Sequence, residues 1–354
     1  MPSLRELLTT MVERDASDLH IASGSSPQLR IDGTLVSLPF PAYSHEESKK
    51  MCYELLTPAQ IQHFERDLEL DLSFSIEGIS RFRANLYMQK DTAAGAFRTI
   101  PFKIPSPQVL GIPEECLDLT NQPRGLVLVT GPTGSGKSTT LACLIDQINT
   151  KRHEHIFTVE DPIEFFHENK KSFLSQREIG RDSNGFSEAL KHILRQDPNV
   201  ILIGEMRDLE TIAAAVTISE TGHLVFATLH TNTAVQTINR IIDVFPPHQQ
   251  PQIRTQLSFI LQGILSQQLI PKIAGGRVIA TELLLPNHAI RNLIREDKIH
   301  QIYSQMQVGQ GQSGMHTMNQ SLASLVLQKK ITWEHGLARA TDVDEFKRLC
   351  PKKT

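Results

Sequence analysis

Leu4, Leu7, Leu8, Met11 and Val12 recur at the i, i+3, i+4, i+7, i+8 spacing, which lines them along one face of a helix. Asp15-Ala16-Ser17-Asp18 closes that helix, and Leu19-His20-Ile21-Ala22 reads as a strand. Gln28–Ile31 and Thr34–Val36 flank Asp32-Gly33, a pair suited to a hairpin turn. One helical stretch is expected from about Ser44 to Phe64, followed by alternating strands over Leu70–Phe74, Arg81–Tyr87 and Ala96–Ile100. These elements predict a mixed α/β domain over residues 1–102.

Pro101, Pro105, Pro107 and Pro113 mark residues 103–113 as a semi-rigid connection and a candidate hinge. Beyond Gly125 short apolar runs alternate with helical patterns, as expected of a parallel sheet covered on both faces. The runs are Leu126–Val129, Ile156–Val159, Val200–Ile203 and Leu224–Ala227. Ile253, Leu257, Ile260, Leu261, Ile264, Leu265 and Leu269 fit one face of a long amphipathic helix. Val278–Leu285 reads as a further strand, and a mostly helical segment follows from about residue 287. The second domain is thus expected over residues 114–354.

With 40% hydrophobic and 21% charged residues, a large core is available and bulk disorder is excluded. A net charge of −3 argues against a chain held on nucleic acid by bulk electrostatics. Cys52, Cys116, Cys143 and Cys350 form no CxxC pair, so neither a zinc site nor a disulfide framework is expected, and free thiols suit a reducing compartment. The charged segment Met1–Glu6 lacks a signal-peptide core, and no apolar run approaches the ~20 residues of a membrane span.

The most specific chemistry is Gly131-Pro132-Thr133-Gly134-Ser135-Gly136-Lys137-Ser138, which meets GxxxxGK[ST] in full, with Thr139 directly following. Its glycines let successive N–H groups turn onto phosphate oxygens, and the helix that begins there adds its positive dipole end. Lys137 is expected to reach the β- and γ-phosphates, and the Ser138 hydroxyl to ligate Mg²⁺. The strand Leu126–Val129 before it and the apolar helix Thr139–Ile145 after it give the strand–loop–helix context the motif requires. By itself the loop calls for ATP or GTP, with Mg²⁺.

Ligands of open α/β sheets bind beyond the carboxyl ends of strands. Ile156–Val159 runs into Glu160-Asp161-Pro162-Ile163-Glu164, and Ile201–Ile203 into Gly204-Glu205-Met206-Arg207-Asp208. Nucleotide hydrolysis needs a positioned water and a held metal ion, and Glu160 and Glu205 are the two carboxylates placed for those tasks. Acids also cap strand ends without any catalytic role. His223 and His230 bracket the strand Leu224–Leu229 at opposite ends; from the residues alone, structural histidines are the better reading.

Several segments together resemble the secretion ATPase superfamily that powers type II secretion and type IV pili, in its pilus-retraction branch. They are Ala16-Ser17-Asp18-Leu19-His20, the phosphate loop, Glu160–Glu164, Gly204–Thr211, Thr221–Leu224 with Thr228–Thr231, and Ala289-Ile290-Arg291-Asn292-Leu293-Ile294-Arg295-Glu296. The resemblance covers nearly the whole chain. It implies an N-terminal PAS-like α/β domain followed by a RecA-like P-loop ATPase domain with a helical C-terminal region.

It also implies Glu160 as general base, Glu205 as the carboxylate for Mg²⁺ and water, and functional roles for His223 and His230. Arg83 and Arg98 match arginines that act on a neighbouring subunit's nucleotide, a task suited to a permanent charge and a forked donor. Ala289–Glu296 matches a motif needed for retraction, with an apolar stripe and, on another face, Arg291 and Arg295 as a basic side. The implied assembly is a cytoplasmic homo-hexamer, peripheral at the inner-membrane base of the pilus. It acts on a platform protein there, with a paralogous retraction ATPase as a further partner and without nucleic acid. Two rivals stand beside it: an accessory ATPase with little turnover of its own, and a RecA-like nucleic-acid translocase.

Overall fold

A computed structural model describes residues 2–31, 33–100 and 104–352. Asp32 of the expected Asp32-Gly33 turn, and Pro101 and Lys103 of the expected connection, lie outside the described residues. The chain divides into two compact units, Met1–Lys103 and Ile104–Thr354.

The first unit begins with helix α1 (Leu4–Glu13), whose Ser3 and Glu6 form a reciprocal capping box and whose Leu4, Leu7, Leu8 and Met11 are buried. Strands β1 (Asp18–Ile21), β2 (Gln28–Ile31) and β3 (Thr34–Ser37) follow. Next come helices α2 (His45–Tyr53) and α3 (Pro58–Asp67), then strands β4 (Glu69–Ile76), β5 (Ser80–Gln89) and β6 (Thr92–Ile100). The single helix expected from Ser44 to Phe64 is therefore two. Thr57 caps α3 and Pro58 takes its first position, where a missing N–H costs no hydrogen bond. The six strands form one antiparallel sheet in the order β3-β2-β1-β6-β5-β4. Its core gathers Leu8, Leu19, Leu29, Phe64, Phe82 and Phe97.

The second unit opens with short helices α4 (Pro107–Leu110) and α5 (Glu114–Asp118). Ile112 and Cys116 are buried in its core, with Ile104 and Leu110 packed against them. From Ile104 onward the proline-rich stretch clusters with the second unit. Then come β7 (Gly125–Thr130), α6 (Lys137–Lys151), β8 (His155–Glu160), β9 (Phe173–Glu178), α7 (Phe186–Ile193) and β10 (Val200–Ile203). Helix α8 (Leu209–Glu220), β11 (Leu224–Leu229), α9 (Ala234–Asp243), α10 (Gln250–Ile260), β12 (Leu261–Pro271) and β13 (Arg277–Leu284) complete the sheet layer. Helices α11 (His288–Arg295), α12 (Ile302–Ser313), α13 (Met318–Leu327), α14 (Trp333–Leu337) and α15 (Val343–Leu349) end the unit.

Seven strands run in the order β13-β12-β7-β11-β10-β8-β9, all parallel except β13. Leu126 and Leu128 face one core and Val127 and Val129 the other, so β7 is buried on both sides. That double burial explains the principal departure from the sequence pattern. The helix expected through Leu269 stops at Ile260, and Leu261–Pro271 is β12. A strand covered on both faces carries apolar residues at successive positions, and here they also satisfy helical spacing. Gly263 sits at a register shift against β7, where a Cβ would come within 2.8 Å of Leu119. All four cysteines are buried free thiols.

Candidate active site

The phosphate loop leaves β7 at the centre of the sheet and enters α6. Gly131, Gly134 and Gly136 have φ of 141°, 77° and 89°, values that L side chains resist. At Gly131 the restriction is doubled, because a Cβ there would lie 2.3 Å from the Gln267 carbonyl oxygen. Gln267 Nε2 in turn donates to Ser135 O at 2.7 Å, so β12 braces the loop from the side. Lys137 is buried and its Nζ donates to Gly131 O at 2.8 Å and to Pro132 O at 3.2 Å. Burial pushes its pKa down, while the charge of Glu205 opposes that shift. Ser135 Oγ is buried with no hydrogen-bond partner among the described residues, whereas the Ser138 residue is exposed at the first turn of α6. A glycine cradle with an orphaned hydroxyl, a buried ammonium and an exposed hydroxyl fits a polyphosphate with a hard cation.

Glu160 ends β8. Its Oε1 accepts from Thr158 Oγ1 at 2.8 Å and from Gln176 Nε2 at 3.4 Å. Burial pushes the Glu160 carboxyl up to about 7, against the lowering effect of those hydrogen bonds. Gly204, after β10, packs directly on it: a Cβ there would meet Glu160 Cα at 3.2 Å. Glu205 therefore follows on the neighbouring strand end.

Glu205 has the opposite electrostatics. Its Oε2 accepts from Arg207 Nη2 at 2.7 Å, and its Oε1 lies 3.1 Å from His230 Nε2. Burial alone pushes its pKa up, but the bonds and charges of Arg207 and His230 outweigh that and hold it below the ordinary range. Met206 N donates to Thr228 O at 3.0 Å and Thr228 Oγ1 to Gly204 O at 2.5 Å, which fixes the β10 and β11 ends side by side. Among the described residues no cluster of three or more His, Cys, Asp or Glu forms a ready-made metal cage. The Ser138 hydroxyl and the Glu205 carboxylate would leave most of a metal's coordination to phosphate and water, the arrangement Mg²⁺ favours.

The two histidines separate. His230 joins Glu205 at the carboxyl end of the sheet. His223 lies at the other end of β11, where its ring meets Thr221 Oγ1 at 3.1 Å and Ile218 O at 3.2 Å and its carbonyl accepts from Gly125 N. The parallel strands keep it away from this chain's own phosphate loop.

Arg83 and Arg98 belong to the first unit, as direct cross-strand neighbours on β5 and β6. Both side chains are substantially exposed. Arg291 departs from the expected basic side of Ala289–Glu296. Its Nη1 donates to Ser258 O at 2.6 Å and Phe259 O at 3.1 Å, capping the end of α10. Ile290 and Ile294 are buried beneath it, while Arg295 stays exposed with its guanidinium over the Phe259 ring at 5.6 Å.

Sequence reasoning missed four supports of the site: Gln267, Gln176, Arg207 and Glu282. Fully buried Glu282 accepts from Ala234 N at 2.7 Å and Met318 N at 3.3 Å, tying together the starts of α9 and α13. Only Arg207 carried a local signal, two residues from Glu205 on the same strand-end loop.

Comparison with known proteins agrees with this geometry. Residues 112–275 match the family described as Type II/IV secretion system protein. The type IV pilus retraction ATPase PilT of Pseudomonas aeruginosa is 48% identical, over 97% of this chain and 99% of that protein. A twitching motility protein of Neisseria gonorrhoeae is 46% identical, over 96% of this chain and 91% of that protein. A crystal structure of the pilus retraction motor PilT with bound ADP superposes with a TM-score of 0.93 at 49% identity, covering 98% of this chain and 100% of that one. Among the described residues no helix is long and apolar enough to cross a membrane. On the strength of near-complete coverage at almost half identity, this chain belongs to the type II/IV secretion ATPase family, in its pilus-retraction branch.

Proposed function

We propose that this chain is an ATP-hydrolysing motor that powers type IV pilus retraction, working as a homo-hexamer on the cytoplasmic side of the inner membrane against a pilus platform protein. The observation that carries the hydrolytic reading is the contrast between two neighbouring carboxylates: Glu160 raised to about 7 and Glu205 held anionic by Arg207 and His230. A general base works best with a pKa near the working pH, whereas a metal-holding carboxylate must stay ionised. Glu160 is accordingly the base that takes a proton from the attacking water. Glu205 and the Ser138 hydroxyl are the groups that would hold Mg²⁺. The chemistry such an ion would supply there is neutralisation of the charge that develops on the phosphates.

The loop from Gly131 to Thr139 cradles the phosphates through backbone N–H groups, and Lys137 swings from its carbonyl partners to the β- and γ-phosphates. His230 fixes the orientation of Glu205. Arg83 and Arg98 of a neighbouring subunit clamp the γ-phosphate as charge develops on it. Products are ADP and inorganic phosphate. His223, bound within the α8–β11 turn, lies at the opposite end of β11 from this chain's own set. Helix α11 carries the output contact through its exposed Arg295 and Asn292, and Arg291 holds that helix to α10. Near-full-length similarity to a retraction ATPase and to a twitching motility protein supports the cellular role.

The test is twofold. The purified assembly is assayed for Mg²⁺-dependent ATP turnover, and the gene is assayed for rescue of twitching in a cell lacking its retraction motor. Turnover with rescue is expected. An assembly that binds ATP without hydrolysing it supports the accessory-ATPase reading instead.

A further inference from the structure

A single register row crosses all six strands of the first unit: Leu35, Arg30, Asp18, Arg98, Arg83 and Ser73 are successive cross-strand partners. Three of these six residues are arginines. Like charges directly opposite each other on adjacent strands are unfavourable, and Arg98 faces Arg83 in this way. The sequence answers with two acids. Asp71 stands 3.8 Å from Arg83, a loose contact between two exposed groups. Asp18 is different: its side chain is only 11% exposed, against 68% for Arg98, and its Oδ1 accepts from Arg98 Nε at 2.8 Å.

The acid itself is held from other directions. Its Oδ2 accepts from Ser17 Oγ at 2.8 Å and lies 3.9 Å from Arg30 Nε. Arg30 is pinned by its own Nη1 bond to Gly33 O at 2.9 Å. Burial pushes the Asp18 carboxyl up, but the Ser17 and Arg98 bonds and the Arg98 charge outweigh it, so Asp18 is anionic at neutral pH. A fixed carboxylate thus grips the guanidinium of Arg98 at Nε alone. Among the described residues nothing hydrogen-bonds its Nη1 or Nη2, the two donors suited to a pair of phosphate oxygens.

We propose that Asp18 is a positioning residue for hydrolysis: it holds Arg98 by Nε so that the terminal nitrogens are already presented to the neighbouring subunit's γ-phosphate. This rests on the trans role of Arg98 given above. An unanchored arginine must give up rotamer freedom each time the transition state forms, and the anchor removes that penalty beforehand. Its loss falls on kcat more than on KM, because the arginine grips the charge that develops in the transition state.

The test is a double-mutant cycle in the full-length assembled ring, with Asp18→Asn, Arg98→Ala and the pair together. ATP is the substrate, and ring assembly and thermal stability are checked for each variant. Asp18→Asn is expected to lower kcat roughly tenfold with KM within about threefold, and to have no further effect on kcat once Arg98 is alanine. Asp18→Glu, which keeps the charge but displaces it by one methylene, is expected to lower kcat as well, and it answers the question if Asp18→Asn does not assemble. Wild-type kcat in both Asp18 variants while Arg98→Ala is impaired overturns the proposal, as do losses that multiply in the double variant. Full kcat in Arg98→Ala overturns the trans-arginine reading first, and the role of Asp18 with it.

Discussion

His230 Nε2 lies 3.1 Å from Glu205 Oε1, while the other oxygen of that carboxylate accepts from Arg207 Nη2 at 2.7 Å. Glu205 is thereby fixed in orientation and ionisation by two residues that reach it from different strand ends. Glu205→Gln should keep nucleotide affinity within a few-fold, since the phosphate cradle is untouched, and lower kcat by about 10²–10⁴. His230→Ala should lower kcat by about tenfold with little change in KM, because it removes the orientation and leaves the carboxylate. Steady-state turnover with equilibrium nucleotide binding checks both. Loss of nucleotide binding in Glu205→Gln contradicts the assignment.

The raised pKa of Glu160 makes two pH predictions. kcat/KM should climb as pH rises through about 7, the value to which burial lifts this carboxyl, as the base loses its proton. Stability runs the other way. The folded chain keeps a proton on Glu160 that the unfolded chain releases above its ordinary value of 4.5. The contribution is full below about 4.5 and lost as pH rises through about 7. Glu160→Gln should therefore be more stable than the parent at pH 8, on the order of 1–3 kcal/mol, and the gap should close toward pH 4.5. Thermal melts across pH measure it, and equal melting curves at pH 8 contradict the buried-acid account.

Gly131→Ala should abolish nucleotide binding, because its Cβ would press to 2.3 Å from the Gln267 carbonyl oxygen in a backbone that already has φ of 141°. Gln267→Leu should weaken ATP binding by about tenfold through loss of the brace on Ser135 O, which is left unpaired. Nucleotide titration calorimetry reads both. Lys137→Ala should remove hydrolysis altogether.

Arg291 and Arg295 should behave differently although they lie one helical turn apart. Arg291→Ala removes two bonds to the end of α10 and should destabilise the fold by about 1–3 kcal/mol. Arg295→Ala should leave the melting temperature within about 1 °C, as expected for an exposed side chain, while still impairing twitching. An Arg291→Ala protein as stable as the parent contradicts the capping role.

What the sequence made readable follows from where the chemistry is contiguous. Gly131–Ser138 must be an unbroken run to wrap a phosphate, so the motif is visible without a fold. Glu160 and Glu205 are visible because each follows a short apolar run that ends a buried strand. Gln267 and Gln176 were hidden because their strands were hidden. β12 is covered on both faces and its apolar positions also fit a helix. β9 lies at the sheet edge with few buried side chains and a weak pattern. A helical wheel placed Arg291 and Arg295 on one basic side but held no information on α10, which draws Arg291 inward. The pairing of Asp18 with Arg98 spans eighty positions and depends on strand register, which spacing along the chain does not encode.

The central claim is that Glu160 performs the proton transfer that turns nucleotide binding into hydrolysis. Single-turnover cleavage of ATP by the assembled Glu160→Gln ring tests it most directly. The account predicts ATP bound with near-parental affinity and a chemical step slowed at least about 10²-fold, the typical contribution of a general base. Cleavage within about threefold of the parent rate, with ATP fully bound, contradicts it.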